Sequence, residues 1–285
     1  MRIKFIYMAL SITVLILSLL ADAGICAYLG MAFSWWWMFL LPVLWFFIDA
    51  VIFGLWVLIL VLWGPFLNKK KPTTKPSKFY YSIVKQTDAW VLAFLRIHVH
   101  VRGVSLPKEP YVLISNHRSN FDQMAQIKAL KGMLICISKP ENMDFPIAGP
   151  FIHHAGFLPI NRENMVEGVK TINQASSYLT KGYCNIGISP EGTRNKGTAD
   201  LLPFHPGSFR AAMDVKAPIV ICCIKNTDKI KHRTPWKRSD VFLDMLEVLP
   251  YQKYKDMSPA EVAEYCSRLI KRDLDVGNFL LGQEL

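Results

Sequence analysis

Residues 111–122 read YVLISNHRSNFD, and the fold turns on how they are read. The unbroken apolar run from Tyr111 to Ile114 suits a strand buried on both faces, as in a parallel sheet covered by helices. Polar residues and a histidine follow at once, and a helix is expected over Ser119 to Leu130.

His117 and Asp122 cooperate only if the helix starts between them. Were residues 117–122 all helical, five steps of about 100° would aim the two side chains at different faces. Ser119 followed by Asp122 supplies the break, a capping-type S-x-x-D with Ser119 at the N-cap and Asp122 at N3. Asp122 then has two compatible readings, a cap without chemistry or a partner of the histidine. One carboxylate oxygen is expected on the backbone and the other on the imidazole.

A carboxylate that accepts from one ring nitrogen fixes the tautomer and supports the imidazolium formed when the other nitrogen takes a proton. That is a general-base dyad. A lone HxxxxD is a weak pattern, and no GxSxG elbow accompanies it; Ser115 and Ser119 lie outside that context. The nucleophile expected is therefore a hydroxyl of the substrate.

Outward from this point strands and helices alternate. GMLICIS (132–138), YCNIGIS (183–189), APIVICCI (217–224) and VFLDMLEVL (241–249) read as strands. Met165 to Lys181 reads as an amphipathic helix stopped by Gly182, and PGSFRAAMDV (206–215) as another. The pattern predicts an α/β fold with a largely parallel sheet flanked by helices. Ser258, Pro259 and Glu261 open a closing helix with a capping box and proline at its first position. Upstream, IHVHVRG (97–103) alternates like a strand with His98 and His100 on one face; with no third ligand nearby they read as ordinary strand residues.

The amino-terminal region is different. Between Lys4 and Lys69 the only charged residues are Asp22 and Asp49. Two apolar segments, about 5–30 and 33–63, each approach or exceed the roughly 20 residues that cross a hydrocarbon core. Trp35 to Trp37 mark a turn near the headgroups, which predicts a two-helix membrane anchor. Arg2 and Lys4 before it and NKKKPTTKPSK after it place both ends, and the catalytic domain, on the cytoplasmic face. A monotopic hairpin, kinked at Pro42, has the same flanks, and a cleaved signal peptide fits the first segment alone. The organisation expected is an anchoring hairpin over 1–67, a basic linker over 68–78 and an α/β domain over 79–285.

Six cysteines show no CxxC or Cys/His spacing, so packed thiols in a reducing compartment are expected. The formal charge of +11 calls for an anionic partner. Acidic lipid headgroups suit an anchored chain, and no nucleic-acid-binding motif is present. Two loops at strand ends carry arginines, FLPINRE (157–163) with Arg162 and ISPEGTRN (188–195) with Glu191 and Arg194. The guanidinium fork suits phosphate or carboxylate, although each arginine taken singly reads as a surface residue.

Together these stretches resemble the glycerolipid acyltransferase family. NHRSNFD resembles its NHxxxxD motif, FLPINRE its second motif, SPEGTRN its EGTR motif and APIVICCI its proline-led fourth motif, in the family's order over about residues 80–250. Ser189 before the motif-three proline and Ile221 or Cys222 in motif four depart from the usual pattern. The resemblance implies His117 as general base, Asp122 as its orienting partner, and Arg162, Glu191, Gly192, Thr193 and Arg194 as binders of the acceptor's phosphate. Glu191 has the alternative of orienting an arginine.

The implied reaction moves a fatty acyl group from acyl-coenzyme A or acyl carrier protein to the 2-hydroxyl of 1-acylglycerol-3-phosphate, lysophosphatidic acid, at a phospholipid bilayer. No metal or other cofactor is expected. Glycerol-3-phosphate or another lysophospholipid is the alternative acceptor, and a membrane acyl-thioesterase the alternative of another class.

Overall fold

The computed structural model describes residues 37–67, 73–161, 164–195, 201–234 and 236–282. The first apolar segment, Trp35, Trp36, Arg162 and part of the basic linker lie outside them. The chain divides into two compact units between Leu60 and Val61.

Helix α1 (Trp37–Trp63) carries the second apolar segment. Over Val43–Phe66 its mean hydropathy is 2.5, and it is long and apolar enough to cross a membrane. Phe46, Phe47, Val51 and Leu62 are exposed, the opposite of a soluble core helix.

The second unit is built on a seven-stranded sheet in the order β1-β7-β6-β2-β5-β3-β4. Its strands are β1 (Ile97–Gly103), β2 (Val112–Ser115), β3 (Leu134–Ser138), β4 (Leu158–Pro159), β5 (Asn185–Ile188), β6 (Ile219–Lys225) and β7 (Ser239–Leu249). Strands β6, β2, β5, β3 and β4 are mutually parallel. β7 returns antiparallel to β6, with a bulge between Ile221 and Cys222, and β1 lies parallel to β7 at the edge. The largely parallel sheet expected from the apolar runs is present, with two reversed strands on one flank.

β2 and β3 are buried along their whole length, and β6 is buried from Ile219 to Ile224. Helices α2 (Lys78–Phe94), α3 (Phe121–Ala129), α4 (Ala148–Ala155), α5 (Met165–Thr180) and α6 (Pro259–Gly282) flank the sheet. α6 opens with the expected box: Ser258 N–H donates to Glu261 Oε2 at 2.6 Å, and Glu261 N–H to Ser258 Oγ at 3.3 Å. Gly182, at φ +64°, follows the last residue of α5's cap, where a left-handed residue costs glycine little.

Two expectations are corrected. α3 begins at Phe121 rather than Ser119, so Asp122 sits at N2. Stretch 206–215 is a 3₁₀ turn, Pro206–Phe209, followed by a single α-turn, Arg210–Met213. In FLPINRE the strand is two residues long, Leu158–Pro159, and Ile160 N–H still donates to Ser138 O at 2.9 Å.

The segment just before α2 is bolted to the domain. Thr73 O accepts from Gln174 Nε2 at 2.5 Å and Tyr178 Oη at 3.0 Å, and Ser77 N–H donates to Ala155 O at 3.3 Å. Gly156, at φ +96°, lets Pro76 approach; a Cβ there would stand 2.7 Å from Pro76 Cα. At the top of this segment Trp63 packs on Phe79, Tyr80 and Phe151. The cysteines 136, 184, 222, 223 and 266 are all buried. Burial pushes the thiols of Cys184 and Cys266 up to about 12.

Candidate active site

β2 ends at Ser115, and the next residue explains how His117 leaves the sheet. Asn116 is fully buried, and its side-chain amide replaces the backbone as β6's partner. Nδ2 donates to Ile224 O at 2.9 Å, while Oδ1 accepts from Ile224 N–H at 2.7 Å. The ladder is thus completed by a side chain, and the main chain is free to turn. Ser115 Oγ accepts from Gln126 Nε2 at 2.9 Å, tying the strand end to α3.

The turn is then organised by one oxygen of Asp122, which is 1% exposed. Oδ2 accepts from His117 Nδ1 at 2.8 Å, from Arg118 N–H at 2.8 Å and from Ser119 N–H at 2.9 Å. The division expected, with backbone on one oxygen and imidazole on the other, does not occur. Oδ1 is buried without a hydrogen-bond partner among the described residues. Reaching back to three donors is also what displaces the helix start: Ser119 Oγ caps Phe121 N–H at 3.3 Å, one position earlier than an N3 cap. With Nδ1 bound to a carboxylate, Nε2 is left facing outward, and the side chain of His117 is 20% exposed.

The third motif grips the main chain of this same histidine. Glu191 Oε1 accepts from His117 N–H at 2.6 Å, and Oε2 from Leu202 N–H at 3.1 Å. Asn195 N–H donates to His117 O at 2.8 Å. Both backbone polar groups of His117 are therefore held by the 191–195 loop. Burial raises the Glu191 carboxyl above its ordinary value, and the N–H groups of His117 and Leu202 oppose that rise. Both Glu191 oxygens accept from backbone N–H groups, one of them that of His117.

Gly192 is buried at φ +76°, the left-handed turn that brings the loop round, and Thr193 and Arg194 are exposed beyond it. Arg162 lies outside the described residues. Beside Gly192 opens a groove of about 700 Å³, lined by Ile137, Ile160, Val169, Ile172 and Ile188 and by polar residues that include His205, Arg210 and Asp214. Its walls come from the carboxyl ends of β3 and β5, from the residues after β4, from α5 and from the 205–214 stretch. His100 Nε2 meets Asp240 Oδ1 at 2.7 Å, and the ring stacks on Phe242. Asn116, Asn195 and Leu202 were missed from sequence, and only the position of Asn116 beside the histidine offered a signal.

A buried parallel sheet thus presents an oriented histidine at a strand end, and comparison with known proteins supplies the class, an acyltransferase-type domain. A family model described as Acyltransferase matches residues 96–225. The 1-acyl-sn-glycerol-3-phosphate acyltransferase of Salmonella typhimurium is 27% identical over 163 residues, 57% of this chain and 66% of that one. The human 1-acyl-sn-glycerol-3-phosphate acyltransferase alpha is 30% identical over 192 residues, 64% of this chain and 66% of that one. The crystal structure of the 1-acyl-sn-glycerophosphate (LPA) acyltransferase PlsC from Thermotoga maritima superposes with a TM-score of 0.57 at 20% identity, covering 84% of this chain and 95% of that one. Over this stretch the chain is similar to acyltransferases, and the curated relatives it matches are 1-acyl-sn-glycerol-3-phosphate acyltransferases. The matched stretch spans just under two thirds of the length of these curated relatives.

Proposed function

We propose that the chain is a membrane-bound O-acyltransferase that moves a fatty acyl group from acyl-coenzyme A or acyl carrier protein to the 2-hydroxyl of 1-acylglycerol-3-phosphate, forming phosphatidic acid. The observation that carries this reading is the Nδ1–Oδ2 bond of 2.8 Å between His117 and Asp122, which leaves Nε2 free to act. The names of the relatives supply the acceptor.

In the reaction, Nε2 takes the proton of the acceptor hydroxyl as its oxygen attacks the thioester carbonyl. The C–O bond forms, the C–S bond breaks, and the thiolate leaves with the proton held by the imidazolium. Asp122 supports that cation, and Glu191 and Asn195 keep the ring in place through its backbone. Arg162, Gly192, Thr193 and Arg194 form the acceptor's phosphate site, where exposed guanidinium and loop N–H groups suit a dianion. The groove beside Gly192 suits the acyl chain, since apolar surface outweighs polar surface along its walls.

α1, with the apolar segment before it, anchors the enzyme, and the flanking lysines and arginines put the domain on the cytoplasmic face. The test is product analysis on membranes containing wild type or His117→Ala, given palmitoyl-coenzyme A and 1-acylglycerol-3-phosphate. Phosphatidic acid from wild type and none from the variant, at equal protein, is the expected result. Thiol release without acylated lipid would turn the reading to a thioesterase, and an active variant would remove His117 from the mechanism.

A further inference from the structure

The connection between β6 and β7 has no part in the chemistry above, yet it stands at the same end of the sheet as His117. Asn116 is bonded to Ile224, β6 ends one residue later, and the connection begins at Asn226. Its base is firmly built. Asn226, at φ +69°, donates through Nδ2 to Asp240 O at 3.2 Å and closes the loop. Thr227 and Ile230 are 1% and 0% exposed and plug it into the core. Arg96 Nη1 donates to Trp236 O at 3.0 Å, and Ser239 N–H to Arg96 O at 3.0 Å, so the returning arm is also fixed.

Beyond Asp228, the one acid in the connection, the exposed residues from 229 to 238 are cationic or aromatic. Lys229, Lys231, Arg233 and Lys237 are exposed, and none has an ion-pair partner among the described residues. Arg238 pairs with Asp240 at 2.7 Å, and no acidic residue occurs from 229 to 238. Among these charges Trp236 is 84% exposed. An indole exposed to water loses the favourable burial its ring would have elsewhere, and tryptophan's preferred setting is the headgroup layer of a bilayer. Unpaired lysines and arginines around it meet the field of an anionic leaflet.

We infer that the β6–β7 loop is a second membrane contact, separate from α1: Lys229, Lys231, Arg233 and Lys237 dock on anionic phospholipid headgroups while the Trp236 ring enters the interface. The inference rests on the membrane location proposed above and on no step of the chemistry. An acidic protein such as a carrier would satisfy the cations, but it gives no reason for a bare indole at their centre. Docked in this way, the loop holds the His117 end of the sheet against the layer where a lipid acceptor keeps its phosphate.

The test uses the full chain in lipid nanodiscs. Trp236→Cys carries an environment-sensitive fluorophore, Lys131→Cys carries it in a second preparation beyond the far end of α3, and the parent chain treated with the dye serves as the blank. Headgroup-labelled nitroxide lipid is the quencher. In discs containing phosphatidylglycerol the probe at 236 is quenched and the probe at 131 is not. Quenching at 236 falls about fivefold or more with phosphatidylcholine alone, and equally when Lys229, Lys231, Arg233 and Lys237 are all changed to Glu. Conversion of the four to Gln, which leaves an exposed surface that folds as before, gives a smaller loss in the same direction.

Equal quenching at 236 and 131, or quenching indifferent to lipid charge and to both variants, overturns the inference. So does a Glu variant that keeps its lipid quenching but no longer retains acyl carrier protein, since the surface then serves a protein. The readouts need no acyl transfer. An inactive chain whose loop docks would refute only the proposed reaction, and an active chain whose loop stays in water would refute only the docking.

Discussion

Asp122→Asn isolates the charge of the dyad from its geometry, because of how the carboxylate is used. His117 Nδ1, Arg118 N–H and Ser119 N–H, at 2.8, 2.8 and 2.9 Å, all converge on Oδ2, and Oδ1 is buried without a partner among the described residues. An asparagine with its carbonyl oxygen in the Oδ2 position keeps all three donors. Its amide nitrogen takes the place of an atom that bonded nothing, so the fold loses little. The tautomer of His117 is retained, and only the negative charge disappears. A hydrogen bond to a charged group contributes about 1.5–3 kcal/mol and a neutral one about 0.5–1.5 kcal/mol. The imidazolium of the transition state therefore loses about 1–2 kcal/mol, or roughly 5–30-fold in kcat. A reversed tautomer would instead cost on the order of 10⁴-fold. The assay is release of coenzyme A coupled to phosphatidic acid formation, at saturating acceptor, with thermal denaturation as the control for folding. A variant as dead as His117→Ala with an unchanged melting temperature refutes the three-donor argument, and one as active as wild type shows that the carboxylate charge gives the cation no support.

Three further outcomes follow from the same geometry. Glu191→Gln sets an amide N–H₂ against the N–H of either His117 or Leu202, and kcat falls about 10- to 100-fold while KM for the acceptor stays constant; a raised KM with kcat intact would return the residue to the phosphate site. Burial lifts the Asp88 carboxyl from 3.8 to about 7, so the folded chain holds a proton that the unfolded chain has lost; this contribution to stability is complete below about 3.8 and disappears as pH rises through about 7. Asp88→Asn accordingly flattens stability against pH across that interval in chemical denaturation, and an unaltered slope would contradict the assignment. Gly156→Ala forces a Cβ to 2.7 Å from Pro76 Cα at φ +96°, costs about 1–3 kcal/mol and lowers Tm by roughly 3–10 °C, whereas an unshifted melting curve would mean that the segment before α2 yields freely.

Those parts of the molecule whose cause is local were legible in the chain. The apolar run into Ser115, the stop at Gly182 and the box at Ser258 each depend on neighbours within a few residues, and each is found in place. What escaped depends on distant partners. Asn116 draws its role from Ile224, more than one hundred residues away, and nothing in the local pattern separates a ladder-completing amide from a surface one. Glu191 carries a charge that suggests a ligand-binding arginine partner, but its oxygens go to two backbone donors brought there by the fold. Strand direction is equally remote. The apolar run of β7 is the same read either way, and its reversal is set by the route of the connection from β6. The helix start moved for a competitive reason, since Asp122 serves the imidazole and the cap through one atom.

The buried cysteines have a consequence for selectivity between nucleophiles. An enzyme that handles acyl thioesters and liberates a thiol is exposed to self-S-acylation and to mixed disulfides, since any accessible thiolate would compete with the acceptor hydroxyl for the acyl carbon. Cysteines 136, 184, 222, 223 and 266 lie inside the packed sheet and helices, and burial holds their thiols well above the range in which thiolate forms at neutral pH. At these five positions the protein would be chemically silent toward the thioester donor proposed above and the thiol it releases, and the sulfur chemistry would be left to that donor.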